Sequence, residues 1–252
     1  MAKVCKNKNY SIKLISFDLD GTLVDKNSFD KIFWEEEVPK LYAAKKWMSI
    51  EEAKKKVKEH YYGVPPTSTE WYRPSYWFRF FDLKEDHNKI LNDLKHKIKI
   101  YPDVIPALKE LKIINEHNRK KEDYRNKRGM VAKFKMIVLT HSTRDMIGFK
   151  LEAENLKRYF DDVISTTDDL EMIKKDSKIY DLVLKKYNIK CDEMLHVGDD
   201  EEFDYNVPKK KGIKTLLIDR KCVTATRSKN AEEDKRDKEV IYSLADLKKY
   251  IQ

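Results

Sequence analysis

Cysteine is scarce in this chain. Its three cysteines, Cys5, Cys191 and Cys222, are odd in number, widely spaced and form no C-x-x-C pair. Neither a zinc site nor a disulfide framework is therefore expected, and a reducing compartment is the default. Glycine is also rare, at 6 residues in 252, which argues against a turn-rich β-sandwich and for abundant helix. No apolar run approaches the length of a membrane span. The opening segment MAKVCKNKNYSIK holds no apolar core of the kind a secretory leader needs. These absences lead to the expectation of a cytoplasmic protein without a membrane partner.

What is present is charge. Charged residues make up 38% of the chain and hydrophobic ones 40%, enough apolar surface for a sizeable core beneath solvated helices. The net charge of +9 suits anionic partners such as phosphates, and equally a lysine-rich surface with no partner at all.

Helical spacing of Ile50, Ala53, Val57 and Tyr61 places helix across residues 29–62, and GVPPTSTE at 63–70 interrupts it. The aromatic cluster WYRPSYWFRFF follows at 71–81, with Trp71, Tyr76, Trp77 and Phe80 expected in a core. Residues 84–99 read as a polar helix, and Val104, Leu108 and Leu111 as a short amphipathic one. The basic stretch 115–135 shows little apolar periodicity and reads as an exposed connection. Beyond it, apolar runs at 135–143, 162–166, 193–200 and 215–220 read as strands. Helices are expected between them, one carried by the stripe Met146, Phe149, Ala153, Leu156 and Phe160. Residues 224–239 look loop-like, and SLADLKKYI suggests a terminal helix.

Strands alternating with helices imply parallel βαβ units in a doubly wound, Rossmann-like α/β sheet, whose site lies at the carboxyl ends of the strands. The first strand runs into ISFDLDGTLVD at 15–25. Alternation along a strand turns Asp18 and Asp20 the same way with Leu19 opposed, and Gly21 permits the turn that follows. Paired carboxylates repel and lose solvation there unless a cation or hydrogen bonds offset the cost. The second strand ends in Thr140, His141 and Ser142, and the fourth in Gly198, Asp199 and Asp200. Carboxylates gathered at one sheet edge make a hard-cation site suited to Mg2+, and a nearby hydroxyl suits phosphate. Roughly 80 residues between the first strand and the helix at 104 are too many for a simple crossover, so a separate helical lobe is expected over that edge.

These motifs carry a resemblance. DLDGT resembles the first motif of the haloacid dehalogenase superfamily, DxDGT. IVLTHS resembles its second motif, KKDSKIYDLVL its third and VGDDEEFD its fourth, GDxxxxD, all in family order between about 12 and 220. The resemblance implies a Rossmann-like core from 1–25 and 101–252, with an α-helical cap of the C1 class inserted at 26–100, the layout being most like phosphoglycolate phosphatases. It implies Asp18 as a nucleophile forming an aspartyl-phosphate and Asp20 as general acid and then base. Thr140 would bind phosphate, with Lys174 steadying nucleophile and phosphate and Lys175 as its competitor. Mg2+ would sit on Asp18, the Asp20 carbonyl and Asp199, with Asp204 behind and Asp200 as a rival ligand. Lys175 and Ser177 stand where the third motif usually has prolines. His141, where relatives often carry Asn or Asp, either contacts substrate or turns the chain. His196 is expected as a satisfied core histidine. Arg73 and Arg79 could reach a substrate anion from the cap or form surface ion pairs.

An acid at Asp20 favours phosphate chemistry over dehalogenation. The expectation is a Mg2+-dependent phosphatase of a small phosphorylated metabolite, acting as a monomer or homodimer, with no nucleic-acid partner. Two rivals share these residues. One is a β-phosphoglucomutase-like phosphomutase. The other is a non-catalytic protein gripping nucleic acid through its basic segment, which steep salt dependence would reveal.

Overall fold

The computed structural model describes residues 12–122, 133–173, 176–220 and 239–251. A six-stranded, all-parallel sheet forms its centre, in the order β3-β2-β1-β4-β5-β6. The strands are β1 (Leu14–Phe17), β2 (Lys135–Thr140), β3 (Asp162–Ser165), β4 (Met194–Gly198), β5 (Lys214–Ile218) and β6 (Val240–Ile241). In register, Phe17 lies between Val138 and Val197, so β1, β2 and β4 end at the same edge.

Alternation along the strands divides the core in two. Ile15, Phe17, Met136, Val138, Leu195 and Val197 face a cluster that includes Val104, Leu108 and Leu111 of α6 (Val104–Glu122). Leu14, Ile137, Leu139 and Met194 face the opposite cluster, with Ile179, Tyr180 and Val183 of α9 (Lys178–Tyr187). Both faces of the sheet are therefore covered, as an all-parallel sheet requires.

The chain leaves the sheet edge after Val24 and returns at Ile100. The two crossings pair through a bridge between those residues and a bond from the Asp25 N–H to the Lys99 carbonyl, 2.8 Å. Between them lie α1 (Phe29–Ile32), a π-helical turn (Phe33–Glu37), α2 (Val38–Lys46), α3 (Ile50–Gly63), α4 (Pro74–Phe80) and α5 (His87–Leu94). These helices gather round their own cluster of Phe29, Phe33, Ala53, Val57, Trp77, Phe78, Phe81 and Leu91.

Several expectations need correction. Helix across 29–62 is divided, because Trp47 adopts a left-handed conformation (φ 53°) and Ser49 then caps α3 through the Glu52 N–H. Of the aromatics expected in the core, Trp77 is buried but Phe80 is 48% exposed. The short helix at 104 extends to Glu122, since lysine, arginine and glutamate sustain helix past its apolar stripe. The stripe from Met146 to Phe160 is not one helix: α7 (Arg144–Glu152) ends there, and Glu154 and Asn155 have φ of 48° and 53°. The terminal helix is a 3-10 segment, Leu244–Tyr250. Of the basic stretch read as an exposed connection, residues 115–122 instead continue α6 and Lys135 opens β2, while 123–132 lie outside the described residues, as do 224–238.

Candidate active site

At the common strand edge lies a cavity of about 410 Å³ lined by Asp18, Asp20, Lys26, Asp30, Thr140, His141, Ser142, Asp199, Asp200 and Asp204, and walled by Trp34, Trp71, Tyr72, Met146 and Phe203. Asp18 follows β1 directly and is 5% exposed; its N–H donates to the Val197 carbonyl, 2.8 Å, which ties it to β4. The Thr22 hydroxyl turns back to donate to an Asp18 carboxylate oxygen at 3.3 Å. The turn depends on Gly21, at φ +86°, where a Cβ would stand 2.3 Å from an Asp199 carboxylate oxygen. Glycine therefore allows both the left-handed backbone and the approach of Asp199.

Asp18, Asp199 and Asp204 bring carboxylate oxygens within 4.8 Å of one another. Hard oxygen donors converging this closely fit a divalent cation such as Mg2+, which would offset their mutual repulsion. Asp204 is held from below: His196 bonds to it at 3.1 Å and, through its other ring nitrogen, pairs with the Ser16 hydroxyl at 2.5 Å. The histidine read as a core residue is thus fully buried and partnered on both nitrogens. Asp200 is used differently, its carboxylate accepting from the Glu202 and Phe203 N–H groups and so capping the next turn. Lys26 reaches Asp199 at 2.5 Å; burial pushes the ammonium down, but the bond to Asp199 and the negative charges of Asp199 and Asp18 together outweigh it and the net shift is upward.

Asp20 sits in a different setting. One carboxylate oxygen accepts from Lys150 at 2.6 Å and the other from the Ser142 hydroxyl. Burial pushes the Asp20 carboxyl up, while the charge and hydrogen bond of Lys150 outweigh that and leave it below its ordinary value. Lys150 is wholly buried and also pairs with Asp30 of α1 at 2.8 Å. Burial, and after it the Asp20 charge, push the Asp30 carboxyl up to about 7.

The remaining sequence candidates fall out as follows. Thr140, 1% exposed at the end of β2, lines the cavity, and its hydroxyl oxygen accepts from the Ser142 N–H at 3.2 Å. His141 lines it too, its ring stacked on Tyr72 with centroids 4.9 Å apart. Arg73 is not among the lining residues: its guanidinium donates to Asp168 of α8 (Thr166–Asp169) at 2.6 Å and to the Thr167 carbonyl at 2.8 Å. Arg79 is exposed on α4. Lys174 and Lys175 lie outside the described residues. Sequence reasoning missed Lys150, although it interrupts the buried face Met146, Ile147, Leu151 of α7, and a lone lysine inside an apolar face is a legible signal of a buried partner. It also missed Asp30, which nothing in its local sequence marks.

Comparison with known proteins identifies the family and the fold. The sequence model of the haloacid dehalogenase-like hydrolases matches residues 12–208. A protein of Escherichia coli (strain K12) named GMP/IMP nucleotidase YrfG is 25% identical over 190 residues, 75% of each chain. The crystal structure of a haloacid dehalogenase (HAD) phosphatase from Thermococcus onnurineus superposes with a TM-score of 0.72 at 26% identity, covering 95% of this chain and 98% of that one. A phosphoglycolate phosphatase predicted in Haemophilus somnus shares the fold at a TM-score of 0.59 and 19% identity, over 96% and 98% of the two chains.

Proposed function

The chain belongs to the haloacid dehalogenase-like hydrolases, and we propose from that premise that it is a Mg2+-dependent phosphatase of a small phosphomonoester, acting in the cytoplasm through an aspartyl-phosphate. One observation carries the reading: Asp18 and Asp20 leave the end of β1 into the same cavity but into unlike environments, one beside Asp199 and Asp204, the other on Lys150 and Ser142. Two carboxylates with unlike partners suit two roles.

Asp18 would attack phosphorus, forming its own bond to it as the ester P–O bond breaks. Asp20 would give its proton to the departing alkoxide, then take one from the water that attacks the phosphoryl-Asp18 and releases phosphate. Thr22 orients Asp18 throughout. Asp18, Asp199 and Asp204 would hold Mg2+, joined by the Asp20 backbone carbonyl that the family resemblance implies. When bound, that ion would offset the carboxylate repulsion and the negative charge of the phosphoryl group. Thr140 would bind a phosphate oxygen, as would the family's lysine at Lys174.

The aromatic walls, Trp34, Trp71, Tyr72 and Phe203 among them, favour a substrate with a flat organic portion. Together with the name of the Escherichia coli relative, this supports purine nucleoside monophosphates as the first candidates to test. The test is phosphate release from nucleoside, sugar and carboxylic-acid phosphomonoesters, with Mg2+ or EDTA. Release should require Mg2+ and vanish in Asp18→Asn. Undiminished release by that variant would overturn the nucleophile assignment, and conversion of a sugar phosphate to its isomer without net phosphate would mean a mutase.

A further inference from the structure

We propose that Lys150 is a positioning residue for Asp20: its ammonium, clamped between Asp20 of the sheet edge and Asp30 of α1, sets the orientation in which the Asp20 carboxyl meets the leaving group. The inference rests on the reading of Asp20 as proton donor in the phosphatase proposed above. A lysine with no exposed surface is costly to bury, and it is kept only where its hydrogens are used. Here Nζ lies 2.6 Å from Asp20, 2.8 Å from Asp30 and 3.2 Å from the Ser142 hydroxyl. Its stem is packed within the buried face of α7, beside Met146, Ile147 and Leu151, and the ammonium stands 5.9 Å from the Phe29 ring centroid.

The effect on Asp20 is geometric. Both carboxylate oxygens accept from one short segment, the end of β2 and α7, through Ser142 and Lys150. Two donors fix the carboxylate plane, whereas Ser142 alone would leave it able to rotate about the Asp20 side chain. Proton transfer to a leaving oxygen needs hydrogen-bond reach and alignment, so a carboxyl free to turn is a poorer acid. Because Asp30 belongs to the helices over the sheet edge, the same ammonium also makes the setting of Asp20 depend on how α1 is docked.

Leaving-group dependence separates this role from a merely structural one. Cleavage of p-nitrophenyl phosphate releases a weakly basic phenolate that needs no proton, while GMP, or the alkyl ester that leads the panel, releases a strongly basic alkoxide that does. Because kcat/KM reports steps only through the first irreversible one, it isolates formation of the phosphoryl-enzyme. Lys150→Met is expected to lower kcat/KM for the alkyl ester about 10- to 100-fold more than for the aryl ester, within the range of a lost acid–base group. Asp20→Asn should show the same selectivity, Lys150→Arg should recover part of the alkyl rate, and Lys150→Met should add little in an Asp20→Asn background. If Lys150→Met does not fold, Lys150→Met with Asp30→Asn removes the stranded charge and should show the same selective loss. Equal losses on both esters, or full additivity with Asp20→Asn, would overturn the positioning role while leaving the phosphatase intact. A wild-type protein that cleaves neither ester, nor any other member of the panel, would overturn the phosphatase reading and this inference with it.

Discussion

Gly21 shows how much one residue controls at this site. Its positive φ closes the turn after Asp20, and its missing side chain is the space that Asp199 occupies. Gly21→Ala should cost about 1–2 kcal/mol for the left-handed backbone alone. It must also displace the Asp199 carboxylate, so activity should fall further than stability does. Paired measurement of thermal unfolding and Mg2+-dependent phosphate release checks this: loss of stability with unchanged Mg2+ dependence would mean that Asp199 is not a ligand. The doublet Asp18 and Asp20 was legible in the sequence because alternation along a strand sends i and i+2 to one side. The pairing of Lys150 with Asp30 was not, because it joins residues far apart in the chain: local spacing can mark Lys150 as buried but carries no information about its partner.

At the scale of elements, the turn after β1 is braced from beyond β5 on the same edge of the sheet. Arg220, just beyond β5, donates to the Thr22 carbonyl and pairs with both Asp103 oxygens at 2.8 Å. Asp103, at the start of α6, also accepts from Ser243 at 3.1 Å and from the Leu244 N–H at 2.7 Å. Burial pushes the Asp103 carboxyl up, but the Arg220 pair and these bonds outweigh it and leave it below its ordinary value. A depressed folded-state pKa contributes stability that is present above the unfolded value, about 4, and lost as pH falls below it. Asp103→Asn should therefore cost about 1–2 kcal/mol near neutral pH, with the difference from wild type shrinking below about pH 4. Chemical denaturation of both proteins across pH 3–7 measures it, and a gap constant over that range would exclude the ionised pair as its source. Element type was legible where periodicity was strong, in β2 and α9. It was misread from Met146 to Phe160, where apolar spacing continued through a break that only the backbone reveals.

Over the whole molecule, α7 is the seam. Met146 packs with the helical cluster above the sheet edge, Ile147 and Leu151 with the core below it, and Lys150 lies between them. Three further contacts cross the same boundary: Arg73 to Asp168, the stack of Tyr72 on His141, and His87 to Asp145 at 3.4 Å. Arg73→Met should cost only about 1 kcal/mol, because the ion pair is partly solvated. Its signature should be local. Native-state hydrogen exchange is expected to quicken in α4 while the amides of β1 and β2 keep their protection. Equal acceleration in the sheet would show that Arg73 supports the fold as a whole rather than the docking of those helices.

The sequence by itself determined the α/β class, the strand-end doublet of Asp18 and Asp20, and the family pattern from DLDGT to VGDDEEFD, because each depends on local periodicity or on residues close in the chain. Tertiary structure alone decided which carboxylates converge and what each one faces. Asp204 joined Asp18 and Asp199, Asp200 became a cap, Arg73 went to Asp168, and a buried lysine took Asp20. Those outcomes depend on strand order and on how α7 and α1 pack, and a carboxylate's chemistry follows from the partners that packing supplies.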